Sequence, residues 1–114
     1  MDLAFHALAD PSRRAIVGLL AERERTVGEL LEHFSFSQPA LSKHLRLLRQ
    51  SGLVAVTQEG RHRRYRLSGQ VLGEMTHWLL HYRRFWQRRL DRLGNLLDEE
   101  ARRSRPTRRE RPKP

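Results

Sequence analysis

The chain has no cysteine among its 114 residues. Disulfides, cysteine-based zinc sites and thiol redox switches are thereby excluded. Apolar residues make up only 38% of the sequence, and no window approaches 18 uninterrupted apolar residues, so no membrane-spanning helix is expected. The opening MDLAFHALADPSRR has no basic stretch followed by a long apolar run, so a soluble, cytoplasmic protein is expected. Acidic residues are few, 13 against 23 Lys and Arg, giving a formal charge of +10 that favours an anionic partner. Of that charge, +6 lies in residues 101–114, where seven basic residues meet only Glu110. With almost no apolar content, this Arg/Pro-rich tail is expected to be disordered, leaving residues 1–100 as one small domain. A domain of that size buries its core only marginally, so help from a partner chain is expected. No nucleophile, base and orienting group, phosphate loop or complete metal site appears, so the chain is not expected to be an enzyme and needs no cofactor.

What is present centres on TVGELLEHFSFSQPALSKHLRLLRQSG, residues 26–52. Thr26 and Glu29 form a T-x-x-E capping box ahead of Leu30, Leu31 and Phe34, which predicts a helix over Val27 to Phe34. Ser35 to Ser37 interrupt it. Ser37 can cap a second helix that starts near Gln38, with Pro39 in the first turn, where proline forfeits no hydrogen bond. Leu41, Leu45 and Leu48 follow at i, i+4 and i+7 and belong to the core, whereas Gln38, Ser42, Lys43, Arg46 and Arg49 lie off that stripe. Two short helices about a tight polar turn, the second of them basic, have the plan of a helix-turn-helix, with polar side chains free to meet a major groove.

The flanks fit that plan. Asp2 to Leu8 reads as a short helix, and Asp10-Pro11 starts another through Ile16, Val17, Leu19 and Leu20. Glu22 to Arg25 reads as a polar link, and Gly52 as a left-handed helix cap. LVAVTQ and HRRYRL are β-prone runs either side of Glu59-Gly60, a hairpin placed as a wing. Its Arg61, Arg63, Arg64 and Arg66 are candidate phosphate or minor-groove contacts, Arg61 and Arg63 foremost. From about Gln70 to Glu100 a single helix roughly 45 Å long is predicted. Its stripe of Leu72, Met75, Trp78, Leu79, Tyr82, Phe85, Trp86, Leu90, Leu93 and Leu97 exceeds what one small body can cover, so dimerisation through it is expected, with Phe5 of the first helix joining. The expected fold is mostly α with a small β-hairpin: a winged helix-turn-helix with a long C-terminal dimerisation helix.

With FHALADPSRRAIVGLL, SQPALSKHLRLLRQSGLV and EGRHRRYRL in this order, residues 3 to about 100 resemble a winged-helix repressor of the ArsR family. The resemblance implies a homodimer that binds an inverted repeat in double-stranded promoter DNA, blocks transcription and often represses its own operon. By family position, Ser37, Gln38, Pro39, Ser42, Lys43 and His44 would meet the groove floor, with Arg46 and Arg49 on phosphates. Metal-sensing members commonly carry Cys-x-Cys where this chain has Thr26-Val27-Gly28. Others use acidic and His ligands at positions that here read Gly69-Gln70-Val71 and Tyr82 to Phe85. The chain therefore resembles a branch without those sensing motifs. Glu74, His77 and His81, at spacings of three and four, remain a candidate metal set, although a polar interface margin is the stronger reading. The aromatic stripe leaves a small-molecule effector open. Two rival functions stand: a metal- or small-molecule-gated switch, and a nonspecific nucleic-acid binder driven by the basic tail.

Overall fold

The computed structural model describes residues 1–104 and orders them as α1 (Asp2–Leu8), α2 (Pro11–Glu22), β1 (Arg25–Thr26), α3 (Val27–Leu31), α4 (Gln38–Gln50), β2 (Val54–Glu59), β3 (His62–Leu67), α5 (Gly69–Leu80) and α6 (Arg83–Ser104). The chain divides into two compact units, Met1–His77 and the residues from Trp78 onward. In the first unit, Ala4 and Ala7 of α1, Ile16 and Leu20 of α2, Leu30 of α3 and the predicted Leu41, Leu45 and Leu48 of α4 form one core. Leu53, Val54, Tyr65 and Met75 complete it. Each fully buried aliphatic side chain of this kind stabilises the fold by about 1.5–3 kcal/mol before conformational entropy is charged against it.

The helix ends follow from local chemistry. Asp10 accepts a hydrogen bond from the Arg13 amide at 3.0 Å, and Pro11 opens α2. Thr26 and Glu29 form the reciprocal capping box on α3, and the Ser37 hydroxyl accepts from the Ala40 amide. Gly52 has φ +82° and ends α4 in a Schellman motif, with the Gly52 amide on the Arg49 carbonyl and the Leu53 amide on the Leu48 carbonyl.

Several expectations are corrected. The link before α3 is not merely polar, because Arg25 and Thr26 form a strand that makes the hairpin a three-stranded antiparallel sheet of order β1-β3-β2. Arg25 is 5% exposed, its guanidinium donating to the Leu19 carbonyl and to Glu22 and lying 3.3 Å from His33 Nε2. Helix α3 stops at Leu31, three residues early, because the amides of His33 and Phe34 bond back three residues rather than four. The same tightening at His81 and Tyr82 divides the expected single helix into α5 and α6, with neither proline nor glycine at the joint. Met75 is 4% exposed, so its side chain is spent on the first unit's own core, and partly buried Leu72 packs against that core too. Helix α6 runs through Ser104, past the expected domain end at residue 100; the rest of the tail lies outside the described residues.

Candidate nucleic-acid interface

Helix α4 separates two populations of side chains by its own period. Its buried leucines lock one face into the core, and the other face carries Gln38, Pro39, Ser42, Lys43, Arg46 and Arg49, all exposed. Among the described residues, Gln38, Ser42, Lys43, Arg46 and Arg49 have no side-chain hydrogen bond or ion pair, so nothing within the fold competes for their donors. Ser37 is exposed too, but its hydroxyl is occupied in capping. Arg46 and Arg49 share a shallow groove with Gln50, Val54 and Ala55, which brings them beside the first residues of β2.

His44 departs from this row. It is half-buried, its ring centroid is 5.4 Å from that of Phe36, and its Nδ1 lies 3.8 Å from the Asp10 carboxylate. That distance is beyond hydrogen bonding, and buried Nδ1 has no other partner. Phe36 stacks in turn on Phe34 at 4.6 Å, so the turn between α3 and α4 is held by three packed rings. His44 therefore connects α4 to the start of α2 and stands apart from the groove-facing set in which family position had placed it.

The wing is anchored at its root and open at its tip. Register pairs Val54 with Leu67, Val56 with Tyr65 and Glu59 with His62, leaving Gly60 and Arg61 as a two-residue loop. Gly60 has φ +57° and Arg61 does not share a positive φ, as a type II′ hairpin requires. Gln58 Nε2 donates to the Gly60 carbonyl at 2.9 Å and braces the turn. Arg61 and Arg63 are exposed and share a groove with Gln58, His62, Thr26 of β1 and the first two residues of α3, Val27 and Gly28. Arg64 donates to Glu59 at 3.3 Å and is half-buried, so it is spoken for within the wing, whereas Arg66 is exposed. Strand β1 is what ties wing to helix-turn-helix: Thr26 pairs with Arg64 of β3 and, one residue before α3, caps that helix.

Two carboxyls in this scaffold are held below their ordinary values. The Arg13 amide hydrogen bond does most of this at Asp10, and the Arg23 guanidinium, 2.7 Å away, at Glu29.

The other candidate sites fare differently. No group of three or more His, Cys, Asp or Glu side chains among the described residues is arranged to hold a metal ion. Helix α5 ends at Leu80, which removes His81 from the helical register that the spacing argument assumed. Phe5, Trp78, Leu79, Tyr82, Phe85, Trp86, Leu90, Leu93 and Leu97 are all exposed in the single chain. No described helix is long and apolar enough to cross a membrane.

An exposed polar row on the second helix of a helix-turn-helix, beside a cationic β-wing, defines a winged-helix DNA-binding protein. The model of the bacterial regulatory protein, arsR family, matches residues 10–56. The transcriptional repressor SdpR of Bacillus subtilis is 35% identical over 82 residues, 72% of this chain and 91% of its own length. The HTH-type transcriptional regulator Rv2034 of Mycobacterium tuberculosis is 40% identical over 100 residues, 88% of this chain and 91% of its own. Among solved structures, a possible transcriptional regulator for arsenical resistance aligns with TM-score 0.66 at 40% identity, covering 83% of this chain and 95% of that one. An ArsR family transcriptional regulator, RHA00566, aligns with TM-score 0.67 at 32% identity, covering 75% and 89%. The chain belongs to the ArsR family of DNA-binding transcriptional regulators, and it is not an enzyme.

Proposed function

We propose that this chain is a homodimeric repressor that binds an inverted-repeat operator in the cytoplasm and represses its own promoter. The observation that carries the reading is the exposed row Gln38, Ser42, Lys43, Arg46 and Arg49 on a helix whose opposite face is locked by Leu41, Leu45 and Leu48. A rigid helix with unsatisfied donors is suited to reading base edges, since nothing must be broken before contact. Gln38 has the amide geometry to pair bidentately with adenine, and Ser42 and Lys43 offer donors to neighbouring edges. Arg46 and Arg49 engage phosphates and fix register, and Arg61 and Arg63 at the wing tip reach phosphates or the minor groove.

Dimerisation is supported by the exposed stripe of Trp86, Leu90, Leu93 and Leu97, each more than half exposed in the single chain. Such a contiguous apolar surface on a soluble chain marks an interface. A twofold dimer docks two copies of α4 in successive major grooves about 34 Å apart, and a bound dimer excludes RNA polymerase. Footprinting of the chain's own promoter, with sedimentation on the same preparation, tests this. A protected site with twofold symmetry, occupied by a dimer, is expected. Protection without symmetry, or binding by a monomer, would refute it.

A further inference from the structure

Helix α6 carries five guanidiniums in ten residues, Arg83, Arg84, Arg88, Arg89 and Arg92, against a single carboxylate, Asp91. That carboxylate is taken by Gln87, whose Nε2 lies 3.1 Å from it. Arg89 lies over the Phe85 ring at 4.4 Å. Among the described residues, Arg84, Arg88 and Arg92 have no ion-pair or hydrogen-bond partner, and all three are exposed. They stand four residues apart, so they form one ridge with a step of about 6 Å along the helix axis. Like charges at i and i+4 destabilise a helix. Here two such pairs follow one another with Asp91 as the one acid beside them, and it pairs with none of the three, a local conflict of the kind that accompanies a binding role.

We infer that the ridge of Arg84, Arg88 and Arg92 is a second polyanion site that takes the phosphate backbone of duplex DNA. A periodic line of forked donors suits a periodic line of phosphates, and binding removes the repulsion that the ridge suffers when empty. Within α6 the ridge lies roughly half a helical turn from the stripe of Trp86, Leu90, Leu93 and Leu97. A partner chain that covers the stripe therefore leaves the ridge open to solvent. The same separation disfavours a lipid surface, because inserting the stripe into a bilayer would aim the ridge at water. The site is distinct from α4 and the wing, and it adds affinity without reading sequence.

The test uses the full chain, with its C-terminal residues intact, on a scrambled duplex across a salt series. For the triple variant R84Q/R88Q/R92Q, the slope of log affinity against log salt should fall by about 2 to 3 for each chain engaged. Its operator-to-scrambled preference should be unchanged, which separates failure of this site from failure of the recognition helix. The charge-conserving variant R84K/R88K/R92K should keep the parental slope. An unchanged slope in the glutamine variant, with helical circular dichroism retained, would overturn the assignment. So would an equal loss in the lysine variant, which would mark a purely structural role. Ridge-dependent sedimentation with phosphatidylglycerol vesicles alongside an unchanged DNA slope would also overturn it, in favour of lipid.

Discussion

Replacing Gly52 by alanine tests the device that sets the wing against the recognition helix. Gly52 sits at φ +82°, where a Cβ costs about 1–2 kcal/mol. That new Cβ would also lie 2.8 Å from Val71 Cγ2, and Val71 is partly buried against the core. Relief requires Val71 to leave its rotamer, at a further cost of about 0.5–1.5 kcal/mol. Gly52→Ala should therefore destabilise the chain by about 1.5–3.5 kcal/mol, lowering the midpoint of a small domain by roughly 6–28 °C. Denaturant and thermal unfolding at fixed chain concentration measure this, since a dimer's apparent stability depends on concentration. In a double-mutant cycle with Val71→Ala, the steric part should appear as a coupling while the backbone part persists. A Gly52→Ala chain within 0.5 kcal/mol of the parent would refute both the left-handed cap and the close approach of α5 to it.

Gln38→Ala should lower affinity for the operator much more than for scrambled DNA, whereas Arg46→Ala should weaken both alike and reduce the salt slope by about one, as anisotropy titrations would read. Equal losses on both duplexes for Gln38→Ala would count against base reading there. Paired substitutions Leu90→Glu and Leu93→Glu, at residues 58% and 51% exposed in the single chain, should yield a folded monomer by sedimentation with much weaker operator binding. Asp10 and Glu29 are held below their ordinary values of 3.8 and 4.5, so folding leaves them less protonated than the unfolded chain. Their contribution is complete above those values and is lost as pH falls through the lower folded ones, so Asp10→Asn should flatten the stability profile on that acid limb. An unaltered limb would place the acid sensitivity elsewhere.

Most of the first unit was legible because its signals are local. A capping box, a proline in the first turn, leucines at i, i+4 and i+7 and a glycine past the helix end each act within a few residues, and each appears where the chain places it. The hairpin was legible too, although its two-residue loop is Gly60-Arg61, one position past the expected Glu59-Gly60. What escaped was set by distant partners. Arg25 looks like linker charge until Tyr65 supplies its strand pairing and Leu19 its carbonyl acceptor. His44 looks like a groove residue until Asp10 and Phe36 are seen beside it. The break at His81 and Tyr82 has no sequence mark, because it arises from a change of hydrogen-bond spacing and not from a breaking residue. Met75 shares a period with the later stripe, and only the folded chain separates the residue that meets this chain's own core from those left outside it.

Fluorescence anisotropy of the full chain on its own promoter and on scrambled duplex, at two salt concentrations, tests the central claim most directly. The account predicts a promoter preference of at least ~10³-fold that survives the change of salt and collapses with Gln38→Ala and Ser42→Ala. Equal binding of both duplexes, vanishing together as salt rises, would contradict it and leave α4 with no sequence to read.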